Sequence, residues 1–267
     1  ISRKKVSYNL DRYTKTGVIK KFFPVINYSK LGYKTFSILL IKFYTPAKAE
    51  EFKKNHTKDK HWISKSDIFG KYNLFINLIF KYENERSEYL FSLIDSNRES
   101  ISEYLVLEPY YAELYPLKFL GNKTSGKMVI INKSSEKIIQ LDEKDKKILK
   151  LLEKDGRMKI IDIANSINLS AELVLYKVRK LQKEGILLGT RIQFNMEKLG
   201  YYYTALLINF KHFSHLTEKK LKEFAKEHKY VNSIALMFSK PNCFIQIFHQ
   251  TEDDLRNSIK DIANNFK

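Results

Sequence analysis

At 267 residues, 43% apolar and 29% charged, the chain has the size and composition of a globular protein of one to three domains. A formal net charge of +18 puts a polyanion first among expected partners, although 40 of the 48 cations are lysine, a skew that a compositional bias would also produce. The single cysteine, Cys243, excludes an intrachain disulfide and a cysteine metal cluster. No apolar run approaches the ~18 residues of a membrane span and no signal peptide is evident, so a cytoplasmic location without membrane contact is expected.

The opening stretch makes sense beside a later one. ISRKKVSYNLDRYTKTGVIKKFFPVINYSKLGY aligns without a gap on LSAELVLYKVRKLQKEGILLGTRIQFNMEKLGY. Val6, Tyr8, Lys15, Gly17, Asn27 and Lys30-Leu31-Gly32-Tyr33 recur as Val174, Tyr176, Lys183, Gly185, Asn195 and Lys198-Leu199-Gly200-Tyr201. Residues 1–28 therefore read as the end of a first winged helix, its recognition helix capped by Ser2 and followed by a wing. The repeat leads us to expect roughly 30 residues with two more helices ahead of Ile1.

Residues 29–116 read as β-α-β-β-α-β. A strand KTFSILLIKF precedes a helix begun by Thr45-Pro46, and a hairpin turns at Gly70-Lys71. A helix around SEYLFSLIDSN and one long strand, ISEYLVLEPYYAEL, complete the ferredoxin-like plan. Alternate residues Phe75, Asn77, Ile79 and Ile76, Leu78, Phe80 make both sheet faces apolar, so the face without helices needs a second sheet. Residues 117–140 read as a polar linker with a short strand at Met128–Ile131.

Residues 141–196 read as a complete winged helix-turn-helix. Asp142 caps a helix whose Ile148, Leu149 and Leu152 share a face, and Asp155-Gly156 closes it with a left-handed glycine. IIDIANSI is the second helix, with Asn168-Leu169 as the turn. Ser170 caps the third, where Val174, Val178 and Leu181 face inward and Tyr176, Lys177, Arg179, Lys180 and Lys183 outward. ILLGTRIQFN reads as two short strands turning at Gly189, the wing. Residues 197–267 repeat β-α-β-β-α without its last strand, and Phe69, Asn73 and Phe75 recur as Phe238, Asn242 and Phe244.

A helix pinned along one edge can enter a major groove while its cations meet phosphates. Lys4, Lys5, Arg12, Lys177, Arg179, Lys180 and Arg191 are the expected phosphate contacts. Ser2, Arg3, Ser7, Tyr8 and Asn9, with Ser170, Ala171, Glu172, Leu175 and Tyr176, are the expected base-edge readers.

Recognition helix, wing, Lys-Leu-Gly-Tyr and βαββαβ module occur twice in this order. That resembles the leucine-responsive/AsnC (feast–famine) family of transcription regulators, most closely in LDEKDKKILKLLEKDGR, NLSAELVLYKVRKLQKEGIL and TRIQFNMEKLGY. The resemblance implies binding of double-stranded DNA through the winged helix. It also implies pairing of the βαββαβ modules, within the chain or as a homo-oligomer, and a small-molecule effector such as an amino acid at their interfaces. Family modules carry Gly-x-x-Asp in the hairpin; here the pattern is Gly70-Lys71-Tyr72-Asn73 and Ser239-Lys240-Pro241-Asn242, without the carboxylate. Gly70, Tyr72, Asn73 and Asn242 are the resulting effector-binding candidates.

Siroheme decarboxylases are an alternative on a similar plan, since Tyr72-Asn73-Leu74-Phe75 resembles a stretch in them. Between Ile63 and Gly70, however, only Lys65 is available for substrate carboxylates. Gly121-Asn122-Lys123-Thr124-Ser125-Gly126-Lys127-Met128 resembles a P-loop but lacks the hydroxyl after lysine and a following helix. The six histidines are scattered, with His212 and His215 in a solvated loop. No catalytic residue, cofactor or metal is expected.

Overall fold

The computed structural model describes residues 2–57, 59–121, 128–132 and 137–266. The first copy comprises α1 (Arg3–Lys15), β1 (Ile19–Ile26), β2 (Thr35–Phe43), α2 (Pro46–Asn55), β3 (Trp62–Asp67), β4 (Leu74–Phe80), α3 (Glu83–Ser96), β5 (Ile101–Leu107) and β6 (Tyr111–Leu114). After β7 (Met128–Asn132) come α4 (Glu143–Lys154), α5 (Ile160–Ile167), α6 (Ala171–Lys183), β8 (Leu187–Phe194), β9 (Tyr202–Ile208), α7 (His215–Glu227), β10 (Val231–Leu236), β11 (Cys243–His249) and α8 (Glu252–Asn265).

Two sheets pack face to face. The first has strand order β3-β4-β2-β5 and the second β7-β6-β10-β11-β9. Leu39, Ile41, Ile76 and Leu78 bury one face of the first sheet beneath α2 and α3, against Phe52 and Leu93. Ile234, Leu236, Ile245 and Ile247 do the same beneath α7 and α8 of the second, against Leu221, Ala225 and Ile262. The free faces meet through Phe36, Ile38, Leu40, Phe75 and Ile79 from one sheet and Ala112, Ala235, Met237 and Phe244 from the other. The repeated Phe75 and Phe244 stack at 5.6 Å between ring centroids. The second apolar face anticipated from the alternation of β4 thus finds its partner within the chain.

Two strand readings are corrected. The expected long strand from Ile101 to Leu114 breaks after Leu107, where Pro109 offers no N–H to a ladder. Its second half, β6, leaves the first sheet and pairs with β10, Ala112 opposite Ala235. The wings are not hairpins either. Each copy supplies a single strand, and β1 pairs antiparallel with β8, Phe23 opposite Arg191 and Val25 opposite Gly189. Gly189, read as a turn, lies within β8 at φ 146°.

The helix-turn-helix core is built across the copies. Ile148, Leu152, Ile163, Val174 and Leu181 of α4, α5 and α6 close on Ile26 of β1, with Tyr28 and Leu31 packed beside them. Gly156, expected to be left-handed, is instead a point of close approach. Its N–H donates to the Phe22 carbonyl at 3.0 Å, and a Cβ there would lie 2.9 Å from Thr190 Cγ2 and 3.0 Å from the Phe23 carbonyl carbon. Gly156→Ala should therefore destabilise the domain by about 1–3 kcal/mol, because backbone cannot move aside as a side chain can. Urea denaturation measures this, and an unchanged midpoint would show that the contact relaxes freely.

Candidate nucleic-acid interface

The third helix of the second copy is fixed at its start by Ser170, whose hydroxyl oxygen accepts the Leu173 N–H at 3.2 Å. Val174 and Leu181 are 0% and 1% exposed, which fixes the opposite face outward. Tyr176 is 64% exposed, and Glu172, Arg179, Lys180 and Lys183 are also exposed. Ala171 and Leu175 are half-buried. This surface can offer one aromatic ring, one carboxylate and three cations to a groove and its phosphates.

The first copy presents the same pattern on α1, with Ser2 accepting the Lys5 N–H at 3.3 Å. Tyr8 is 67% exposed, and Lys4, Lys5, Ser7 and Arg12 are exposed on the same helix, which opens at Arg3. Arg12 donates to the Tyr13 hydroxyl at 3.1 Å and lies over its ring. Asn9 donates from Nδ2 to the Lys5 carbonyl at 3.0 Å. Val6 and Tyr13, equivalent to the buried Val174 and Leu181, are 44% and 39% exposed.

Two expected phosphate contacts are placed elsewhere. Lys177 is buried, its Nζ donating to Asp142 Oδ2 at 2.6 Å and Asp145 Oδ1 at 2.9 Å. The Lys177 hydrogen bond, followed by the Asp145 backbone N–H, holds the Asp142 carboxyl down to about 2. Lys177 follows Val174 by three residues and precedes Leu181 by four, so helical spacing already places it on the inner stripe. Arg191 on β8 turns inward, donating to the Tyr115 carbonyl at 2.8 Å and Asn232 Oδ1 at 3.4 Å. Burial pushes its guanidinium down to about 10, still charged at neutral pH, and it ties the strand beside the helices to the second sheet.

The effector candidates are used mainly in folding. Asn73 Oδ1 accepts the Phe43 N–H at 3.0 Å and Asn242 Oδ1 the Phe210 N–H at 2.8 Å, so each repeated asparagine closes the end of its module's first strand. Tyr72 is buried between the sheets, its hydroxyl donating to Glu103 at 3.3 Å. Gly70, at φ 127°, lies in the hairpin with open space where a Cβ would stand. Two clefts of about 330 Å³ each, among the described residues, lie away from these residues. One is lined by Lys147, Lys150, Lys154 and Asn168 between α4 and α5, the other by His215, Glu218 and Lys222 on α7.

Comparison with known proteins adds to this geometry. Residues 141–187 match the family model of winged helix-turn-helix DNA-binding domains. Over 112 residues the chain is 28% identical to the HTH-type transcriptional regulator PH0061 of Pyrococcus horikoshii, covering 40% of this chain and 74% of that protein. In sequence the chain is thus similar to winged helix-turn-helix transcription regulators. Among solved structures, the siroheme decarboxylase NirDL aligns over 98% of this chain and 77% of its own, with a TM-score of 0.63 and 15% identity. That likeness is one of fold. AsnC of E. coli aligns over 45% of this chain and 80% of its own, at 21% identity and a TM-score of 0.39.

Among the described residues no group of histidine, cysteine or acidic side chains is placed to hold a metal ion. None of the helices searched is long and apolar enough to cross a membrane. Part of the P-loop-like stretch, Asn122 to Lys127, lies outside the described residues, and a strand, β7, follows it.

Proposed function

We propose that the chain is a sequence-specific, DNA-binding transcription regulator carrying two reading helices. The observation behind this is the outer face of α6, with Tyr176, Arg179, Lys180 and Lys183 held outward by the buried Val174–Leu181 stripe. Tyr8, Lys4, Lys5 and Arg12 repeat that display on α1. In this reading Arg179 and Lys180 meet phosphates, while Tyr176 and Glu172 face base edges.

Binding to duplex DNA should weaken steeply with salt, the logarithm of affinity falling by about 0.9 per phosphate neutralised for each tenfold rise in salt. Arg179→Ala should weaken binding to many sequences alike and lower that slope by about one, whereas Tyr176→Ala should alter preference among sequences. Fluorescence anisotropy across a salt series reads both effects. No association at low salt would defeat the reading.

Effector control belongs to the same proposal and is tested by calorimetry with the amino acids. Heat from one of them that Tyr72→Ala abolishes supports an effector, and no heat from any leaves the modules as pairing units. The fold-wide alignment with NirDL favours one second reading, a tetrapyrrole decarboxylase. Titration with siroheme separates the two: a spectral shift supports the enzyme, its absence the regulator.

A further inference from the structure

β1 and β8 run past each other with Ile19 opposite Phe194 and Ile26 opposite Leu187. This pairing carries the turn after each strand to the place where the other copy's reading helix ends. There Lys30 Nζ donates to the carbonyl of Glu184, the C-cap of α6, at 2.7 Å. Lys198 Nζ donates to the carbonyl of Thr16, the C-cap of α1, at 2.8 Å. The four residues occupy equivalent positions of the repeat, so each copy's lysine closes the other copy's helix.

The reciprocity extends to the backbone. Asn27 N–H donates to the Ile186 carbonyl and Asn195 N–H to the Val18 carbonyl, both at 2.8 Å. It also accounts for two repeated glycines. Gly17 and Gly185 both adopt φ 68°, and a Cβ would stand 3.0 Å from Lys198 Nζ and 3.1 Å from Lys30 Nζ. Each glycine turns the chain out of its helix and leaves room for the ammonium. A helix C-terminus gathers unpaired carbonyls and partial negative charge, which favours a cation there.

We propose that Lys30 and Lys198 are positioning residues that fix the relative placement of α1 and α6, and so the spacing at which two DNA half-sites are read. The proposal rests on the DNA-binding reading above. A two-stranded ribbon alone is marginally stable and twists readily. A cation tying each end of this one to the facing helix removes that freedom. Neither lysine needs to touch DNA.

The experiment has two arms on the full chain. Spin labels at Tyr8→Cys and Tyr176→Cys report the distance between the helices without DNA, because the native Cys243 is fully buried and does not take the label. The parent should give a narrow distance distribution, the pair Lys30→Met/Lys198→Met a broad one, and Lys30→Arg/Lys198→Arg a narrow one again. In the second arm, duplexes carry two half-sites moved apart one base pair at a time. The parent should lose roughly tenfold in affinity away from its preferred spacing, and the methionine pair should flatten that profile while keeping the parent's salt dependence. An unchanged distance width, or an equally sharp spacing preference in the methionine pair, overturns the proposal. A parent that binds no duplex at low salt defeats the DNA-binding reading, and the spacing role with it, whatever the distances show.

Discussion

Lys177→Ala is expected to cost the helix-turn-helix about 3–5 kcal/mol of stability, far more than the loss of a surface cation, because it strands a buried carboxylate. Asp145 is 5% exposed and its partner Lys177 7%, so neither can turn to water when the other is removed. The same ammonium holds Asp142, the N-cap of α4, and so joins the start of one helix to the middle of another. Lys180→Ala, by contrast, loses an exposed pair with Glu184 at 4.0 Å and should change stability by no more than about 0.5 kcal/mol while weakening DNA binding. Urea denaturation of the two variants separates the roles. Equal stability with equally weakened DNA binding would return Lys177 to the phosphate-contacting set. The acid limb of the stability curve should also carry Asp142. Its folded-state pKa is depressed from 3.8 to about 2, so its contribution is complete above the unfolded value and is lost as pH falls through about 2.

What the sequence reveals here depends on whether a signal is local. Asp142 and Ser170 cap their helices as their residue types and the following periodicity require. The apolar alternation of β4 announced a sheet buried on both faces, and the chain buries it so. The contacts between copies were not legible, because no local pattern encodes them. Gly189 reads as the turn of a hairpin, since a glycine between short apolar runs usually is one, yet the partner of β8 lies in β1, far back along the chain. Gly156 reads locally as a helix-ending glycine, whereas its need is for space beside Phe23 and Thr190, one of them from the other copy. Lys177 lies on the inner face for a different reason. Its spacing from Val174 and Leu181 marks it as inward-facing, Asp142 and Asp145 at three residues' separation supply its partners, and period outweighs charge in deciding which way it points.

Selection from random duplexes should yield a bipartite site whose halves are not mirror images. An ordinary symmetric dimer presents two identical readers and so selects a palindrome. In this chain α1 and α6 share the exposed tyrosines Tyr8 and Tyr176, yet their neighbours differ. Lys4, Lys5, Asn9 and Asp11 stand where the second copy has Glu172, Leu173, Lys177 and Arg179. Lys177 faces inward in α6, while its counterpart Asn9 is partly exposed, which widens the difference in what each helix offers to a groove. The early cations of α1 should supply more of the sequence-independent affinity, and Glu172 should favour bases that present a donor, such as the cytosine amino group. Changing Arg3 and Lys4 to alanine should then erase the preference in one half only and lower the salt slope by about two, with the other half selected as before. A perfect palindrome, weakened equally on both sides by that pair of substitutions, would mean that one kind of helix meets DNA and that the duplication serves assembly alone.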